Sequence, residues 1–359
     1  MRLRFLAGAA LACAAGAPLR AAPLDALLTA LPAAGAGQWQ AEAGYDAANK
    51  KLDLFGMRPK RADGTYGPSG DYSGGHLLLG WAATPTLRLE GGVWKRSIQY
   101  VSASADVTTW QLAAQWQVLA SAQGDSALAL RASAWSNHAP LLRRTTSAVV
   151  QGITFNTAQA TKPRDQQLQL DLVGSMRLAP TFSASVFAGL GRSKVDFDQV
   201  SATTGSADTC LFNVSFVDGK VIAVCENNGS STRISTPASV YGIDVDKEAR
   251  YAATSAQVGA NLDWRPGDWQ LRLGVQHLRI DRGAVDDIVL QRGGLPFRSN
   301  TVGLLDIGWK LQPMTLVFVR GQVLAHQFVG EAPLMYNTLT ATQHRRRYGI
   351  ATFGVTHRF

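Results

Sequence analysis

The sequence predicts an all-β chain closed into a transmembrane antiparallel up-and-down β-barrel of about twelve strands. Three observations carry that expectation. Charged residues make up 17% of the chain and mean hydropathy is −0.03, whereas an ordinary soluble domain carries roughly 25% charge. Past the N-terminus no run reaches the ~18 apolar residues of a membrane-spanning helix. From Gly37 onward apolar and polar residues alternate with a period of two, and the alternating ribbons are joined by short turns and long loops in strict rotation. A soluble sandwich also alternates, but nothing in it makes loop length alternate as well.

Residues 1–21 read as a secretory signal. Arg2 and Arg4 form its positive end, and the apolar run from Phe5 to Ala17 is too short to span a bilayer. Removing it takes away Arg2, Arg4 and Arg20, so the formal charge falls from +9 to 9 − 3 = +6. Cys13 goes with it, leaving Cys210 and Cys225 as a pair in an oxidising compartment, where a disulfide is expected. Residues 22–36 are expected to be a periplasmic segment. Leu24, Leu27, Leu28 and Leu31 fall there at helical spacing before Pro32, consistent with a short periplasmic or lumen-plugging helix or with loosely ordered chain.

Residues 37–359 form the barrel. The clearest ribbon is Thr109 to Val118, where Trp110, Leu112, Ala114, Trp116 and Val118 share one face and Gln111, Gln115 and Gln117 the other. Ribbons of the same kind run through Gln167–Leu178, Ser255–Trp264 and Trp269–Gln276, and weaker ones complete the set. Short turns fall at Ala83–Pro85, Ser121–Asp125, Ala179–Thr181, Arg265–Asp268 and Gln312–Thr315. Long loops fall at about 46–70, 97–107, 136–164, 194–250, 281–299 and 327–345. Trp39, Trp81, Trp264, Trp269 and Trp309 lie beside the short turns, as an aromatic girdle at the periplasmic interface would. The longest loop, 194–250, contains Asp218-Gly219, a strong hairpin turn, between the two cysteines. Its arms would raise the strand count to fourteen only if both spanned the membrane. Lys220–Cys225 is shorter than the ~9–11 residues required.

The final strand, Tyr348 to Phe359, ends on an aromatic residue, with Phe353, Val355 and Phe359 on one face. It resembles the terminal signal by which Gram-negative outer-membrane proteins are recognised for insertion. The resemblance implies a bacterial outer-membrane location, the barrel-insertion machinery as a partner, and a signal formed by Tyr348, Phe353, Val355 and Phe359.

If the apolar faces meet lipid, the opposite faces line the lumen. Parity places there Arg88, Arg96, Arg131, Arg177, Arg272, Lys310, Arg320 and Arg358 against Glu42, Glu90, Asp171, Asp263 and Asp306, giving 8 − 5 = +3. An Arg- and Gln-lined lumen suits a porin-like channel for small polar or anionic solutes or oligosaccharides. In general layout it is similar to twelve-strand, Arg-lined channels for acidic oligosaccharides. The alternative is a closed barrel with its charges paired, serving surface polysaccharide export, assembly or adhesion through the 194–250 loop.

A lipid or peptide hydrolase is the third class considered, through His138 or through His277 with Asp281, Asp286 and Asp287. No motif spacing supports it, and no enzyme is expected. Asp244 and Asp246 could hold Ca²⁺ but read as a solvated loop. His and Cys show no zinc-ligand spacing, so no metal and no cofactor are expected. Arg345, Arg346 and Arg347 at the outer rim are expected to bind phosphates of lipopolysaccharide or acidic polysaccharide. The dispersed positive charge and the compartment speak against nucleic acid.

Overall fold

A computed structural model describes residues 25–31, 35–48, 62–64, 72–100, 103–145, 149–150, 153–206, 210–227, 230–242, 244–338, 340–345 and 347–359. The expected signal and most of the 46–70 loop lie outside them. The strands are β1 (Trp39–Ala48), β2 (Tyr72–Ala82), β3 (Leu87–Tyr100), β4 (Ala103–Ala120), β5 (Ser126–His138), β6 (Leu141–Thr145), β7 (Val149–Val150), β8 (Ile153–Thr161), β9 (Arg164–Ala179), β10 (Phe182–Asp196), β11 (Gln199–Ser206), β12 (Cys210–Val217), β13 (Lys220–Asn227), β14 (Ser230–Pro237), β15 (Tyr251–Trp264), β16 (Trp269–Asp281), β17 (Ser299–Gln312), β18 (Thr315–Leu324) and β19 (Tyr348–Arg358). Two short helices, α1 (Val245–Glu248) and α2 (Ala284–Gln291), lie in the outer loops.

Twelve strands close into a barrel in the order β1-β2-β3-β4-β5-β9-β10-β15-β16-β17-β18-β19, and β19 returns to pair with β1 from Gln40↔Arg358 to Ala48↔Ile350. All neighbours are antiparallel, and because β19 closes on β1 the barrel has no free edge, as a spanning sheet in lipid requires. The short turns lie where the sequence places them. The expected loop at 97–107 is instead a continuation of β3 and β4, paired as far as Tyr100↔Ala103.

Burial is inverted relative to a soluble sandwich. Leu168 (64% exposed), Leu190 (70%), Val186 and Leu112 stand bare on the outer wall, while Gln276, Arg272 and Asp306 are buried inside. So wide an apolar surface would be a liability in water and is what a hydrocarbon solvent selects. Trp39 pairs with Trp81 (ring centroids 5.4 Å apart) and Trp269 with Trp309 (6.4 Å), in register at the short-turn end. An apolar outer wall, an aromatic girdle and short turns on one side make the protein an outer-membrane β-barrel.

Above the barrel, β6 to β8 and β11 to β14 form a second sheet in the order β14-β13-β12-β11-β8-β6, with β7 paired to β8. It grows from the ends of β5, β9 and β10. Its hairpin turns at Asp218-Gly219, both with positive φ (51° and 70°) as a two-residue turn demands. The β12–β13 ladder ends at Asn213↔Val224, which frees Cys210 to meet Cys225 in a disulfide with Cα atoms 6.1 Å apart. Both arms stay above the barrel, so the strand count is twelve.

Candidate functional site

The lumen is the candidate site, and it divides by height. On the periplasmic side residues 25–31 thread into it. They form no helix despite the leucine spacing, because their polar groups bond outward to the wall instead of along the chain. Asn261 Nδ2 donates to the Leu28 carbonyl (2.7 Å), Gln115 Nε2 to the Thr29 carbonyl (2.9 Å), and the Ala30 N–H to Ser175 Oγ (2.7 Å). Thr29 Oγ1 meets Ser175 Oγ and Ser185 Oγ at 3.1 and 3.2 Å. Leu27 and Leu28 are buried. Gly274 makes room for them, since a Cβ there would fall on the Ala26 carbonyl and against the Leu27 side chain.

At mid-height the charges pair. Arg272 Nη2 and Arg320 Nε each lie 2.8 Å from Asp306, and Arg320 also reaches Glu42 (3.3 Å). His76 bridges Glu42 (3.3 Å) and Asp46 (3.2 Å). Across the lumen Glu90 takes Arg88 (2.9 Å) and Arg131 (2.6 Å), and Asp171 accepts from Gln169 (2.8 Å) and Gln257 (2.6 Å). Taking charges out of water costs several kcal/mol each unless they meet a partner, and this registry supplies one.

The outer third is apolar. Inward residues such as Ile98, Val107, Leu278, Val302, Leu324 and Ile350 form one core with Phe328, Val329, Leu334, Met335 and Tyr336, which arrive from the 327–345 loop folded down into the barrel. Polar contacts fix that loop. Arg96 Nη1 reaches Glu331 (2.8 Å), Asn137 Nδ2 donates to the Glu331 carbonyl (3.1 Å), Tyr251 donates to the Pro333 carbonyl (2.9 Å), and the Leu334 N–H donates to Asp165 (3.1 Å). Tyr336 donates to Asp286, and burial pushes its phenol up to about 12.

The lumen residues named from sequence therefore separate. Glu42, Glu90, Asp171, Asp306, Arg88, Arg96, Arg131, Arg272 and Arg320 face inward and meet one another, polar side chains or the loop. Arg177 is exposed at the periplasmic end. Arg358 stands at that mouth within electrostatic reach of Arg88 and Arg265, and Arg265 holds Asp263. Asp46, His76 and Glu331 join the site unannounced by the parity count. The first two sit on the counted face of β1 and β2, and a loop supplies the third.

Phe353, Val355 and Phe359 face outward, while Tyr348 turns inward, buried against Phe328 (5.0 Å). Arg345 and Arg347 are exposed at the rim, and Arg346 lies outside the described residues. Of the histidines considered for catalysis, His138 is exposed and His277 meets Thr301 on the outer wall (2.9 Å). Asp286 is held by Arg298 (3.2 Å) and Arg282 (3.5 Å).

No family model matches the chain, and no curated protein matches its sequence. Among solved structures it is similar to the translocator domain of the autotransporter NalP from Neisseria meningitidis (TM-score 0.47, 12% identity, covering 90% of this chain and 89% of that one). It is also similar to the β-domain of the Bordetella autotransporter BrkA (0.44, 12%, 90% and 100%) and to an outer-membrane channel from Pseudomonas putida F1 (0.43, 9%, 92% and 98%).

Proposed function

We propose that the protein is a gated, porin-like outer-membrane channel for small polar or anionic solutes. One observation carries the reading: the lumen is closed by two stretches of ordinary chain, 25–31 and the 327–345 loop, rather than by strand side chains alone. About eight strands already give an interior that side chains fill, so twelve leave room for a polypeptide. With 25–31 withdrawn, Gln115, Ser175, Ser185 and Asn261 would wall a polar passage. Anion preference is assigned to the periplasmic mouth, where Arg358 stands within electrostatic reach of Arg88 and Arg265, which also hold Glu90 and Asp263 and leave the cluster net positive. The mid-lumen arginines are spoken for, and their part in selectivity is to frame the passage.

The test is single-channel recording of the refolded protein in a planar bilayer under a salt gradient. Brief openings with an anion-selective reversal potential are expected. Silence at all voltages, in the parent and in variants that release either plug, overturns the reading. It would favour the second one, a closed barrel presenting its outer sheet for surface assembly or adhesion. That alternative is suggested by the way the outer loop is built into the main apolar core.

A further inference from the structure

Over β10, β15 and β16 the outer wall carries cations that the lumen does not explain. Arg192 and Lys194 on β10 and Arg279 on β16 are exposed, and none has an ion-pair partner among the described residues. Arg192 lies ten residues along β10 from Phe182, and Arg279 ten along β16 from Trp269, at the periplasmic end of each strand. That is the length a tilted strand needs to cross the hydrocarbon, about 9–11 residues. The cations therefore sit at the outer headgroup level.

The strand between them, β15, presents only small side chains there. Ala252 pairs with Lys194, Thr254 with Arg192, and Ala256 with both Leu190 and Arg279. The result is a trough walled by cations on both sides, opening downward onto the bare apolar surface of Leu190 and Val258. Asp281, in register with Thr254 on the β16 side, is an exposed carboxylate of the trough, which the three cations outweigh by 3 − 1 = +2. Asp281 accepts from the Gly283 N–H (2.9 Å), while Asp196 is held by Arg164 (2.8 Å) and Arg250 (3.0 Å). On this evidence of charge, level and shape we propose that the β10–β15–β16 trough binds the phosphate-bearing headgroup of an outer-leaflet lipid, whose acyl chains lie along the apolar wall beneath. The proposal is independent of whether the lumen conducts.

The test reconstitutes the refolded protein into phosphatidylcholine discs containing a bis-phosphorylated glucosamine lipid, or the same lipid stripped of its phosphates. Lipid retained through detergent exchange is then read by native mass spectrometry. A parallel arm adds inorganic phosphate alone. The parent should keep the phosphorylated lipid, and Arg192→Gln/Lys194→Gln/Arg279→Gln should keep at least tenfold less, with its heat-modifiable gel mobility unchanged. Arg345→Gln/Arg347→Gln should retain lipid like the parent. Equal retention by the triple variant, equal retention of the dephosphorylated lipid, tight binding of free phosphate by the parent, or loss confined to the Arg345/Arg347 variant would each overturn the proposal. Should the triple variant not refold, the single variants Arg192→Gln and Arg279→Gln decide it by the same readout, each expected to lose severalfold.

Discussion

Gly274→Ala should expel the inner plug while leaving the barrel intact. The hold on residues 25–31 can be worked from their contacts. Burying Leu27 and Leu28 contributes about 2 kcal/mol each, and Ala26 and Ala30 about 0.8 each. The five hydrogen bonds to Ser175, Ser185, Gln115 and Asn261 contribute about 1 kcal/mol apiece. Against this, ordering seven residues costs about 1.5 kcal/mol each. The two sides cancel to within about 1 kcal/mol, so the segment is marginally docked. A methyl group at position 274 falls on the Ala26 carbonyl, and overpacking of that kind costs about 1–3 kcal/mol. The docked-to-free ratio should therefore fall about 5- to 150-fold. The assay is maleimide labelling of Ala30→Cys, a buried position, in the refolded signal-free protein, whose other cysteines are joined as Cys210–Cys225. Labelling follows the free fraction, which starts near one half for so marginally docked a segment, so adding Gly274→Ala should accelerate it about twofold, to the rate of an unstructured cysteine. Unchanged labelling in a variant that refolds normally would refute the reasoning, because the segment would then be part of the barrel's core and not a removable plug.

Four further outcomes follow from contacts elsewhere in the molecule. Asp306→Ala leaves buried Arg272 without its carboxylate and should cost about 3–5 kcal/mol in the urea unfolding of the refolded barrel. Glu248→Ala, facing the half-exposed Arg292, should cost less than about 1 kcal/mol. Burial holds the His326 imidazole below its ordinary value of 6.5, so the folded loop prefers the neutral ring. Its contribution is whole above 6.5 and is lost as pH falls through that value toward the lowered one. Hydrogen exchange over 326–345 should thus quicken on acidification, and His326→Gln should remove that component. Glu331, pushed up by burial against the pull of Arg96, works in the opposite sense and would remain visible in the variant. Breaking the Cys210–Cys225 bridge, which closes a loop of 15 residues, should loosen the β12–β13 hairpin by about 3 kcal/mol without altering barrel melting.

The barrel itself was legible because each of its causes is local. Alternation in Thr109–Val118 sorts one face to lipid and one to the lumen without reference to anything distant, and register follows once the short turns are placed. The tryptophans announce the interface for the same reason, each by its position beside a turn. Residues 25–31 were only half legible. Their leucine spacing fits a short helix and a loosely ordered chain alike, and a chain entering a wall of Gln, Asn and Ser side chains finds better partners there than in its own carbonyls. The outer plug left a signal that went unread. Phe328, Val329, Leu334, Met335 and Tyr336 are too apolar for a solvated loop, and the inward positions Ile98, Val107, Val302 and Leu324 are apolar on a face expected to be wet.

Counting charge by parity failed in the lumen for a more general reason. Parity gives the face a side chain occupies, whereas the field inside a barrel depends on what else occupies that space. Arg96 is met by Glu331, 235 residues away, and Arg320 by Glu42 from the opposite end of the chain, brought near only when β19 closes against β1. A surplus of three therefore measured a list rather than a potential. On the outer wall of β10, β15 and β16 the neighbours of a residue are those its register assigns. Arg192, Lys194 and Arg279 are cationic on paper and remain so in place, which makes that wall, more than the lumen, the surface where the sequence's excess positive charge can act on something outside the molecule.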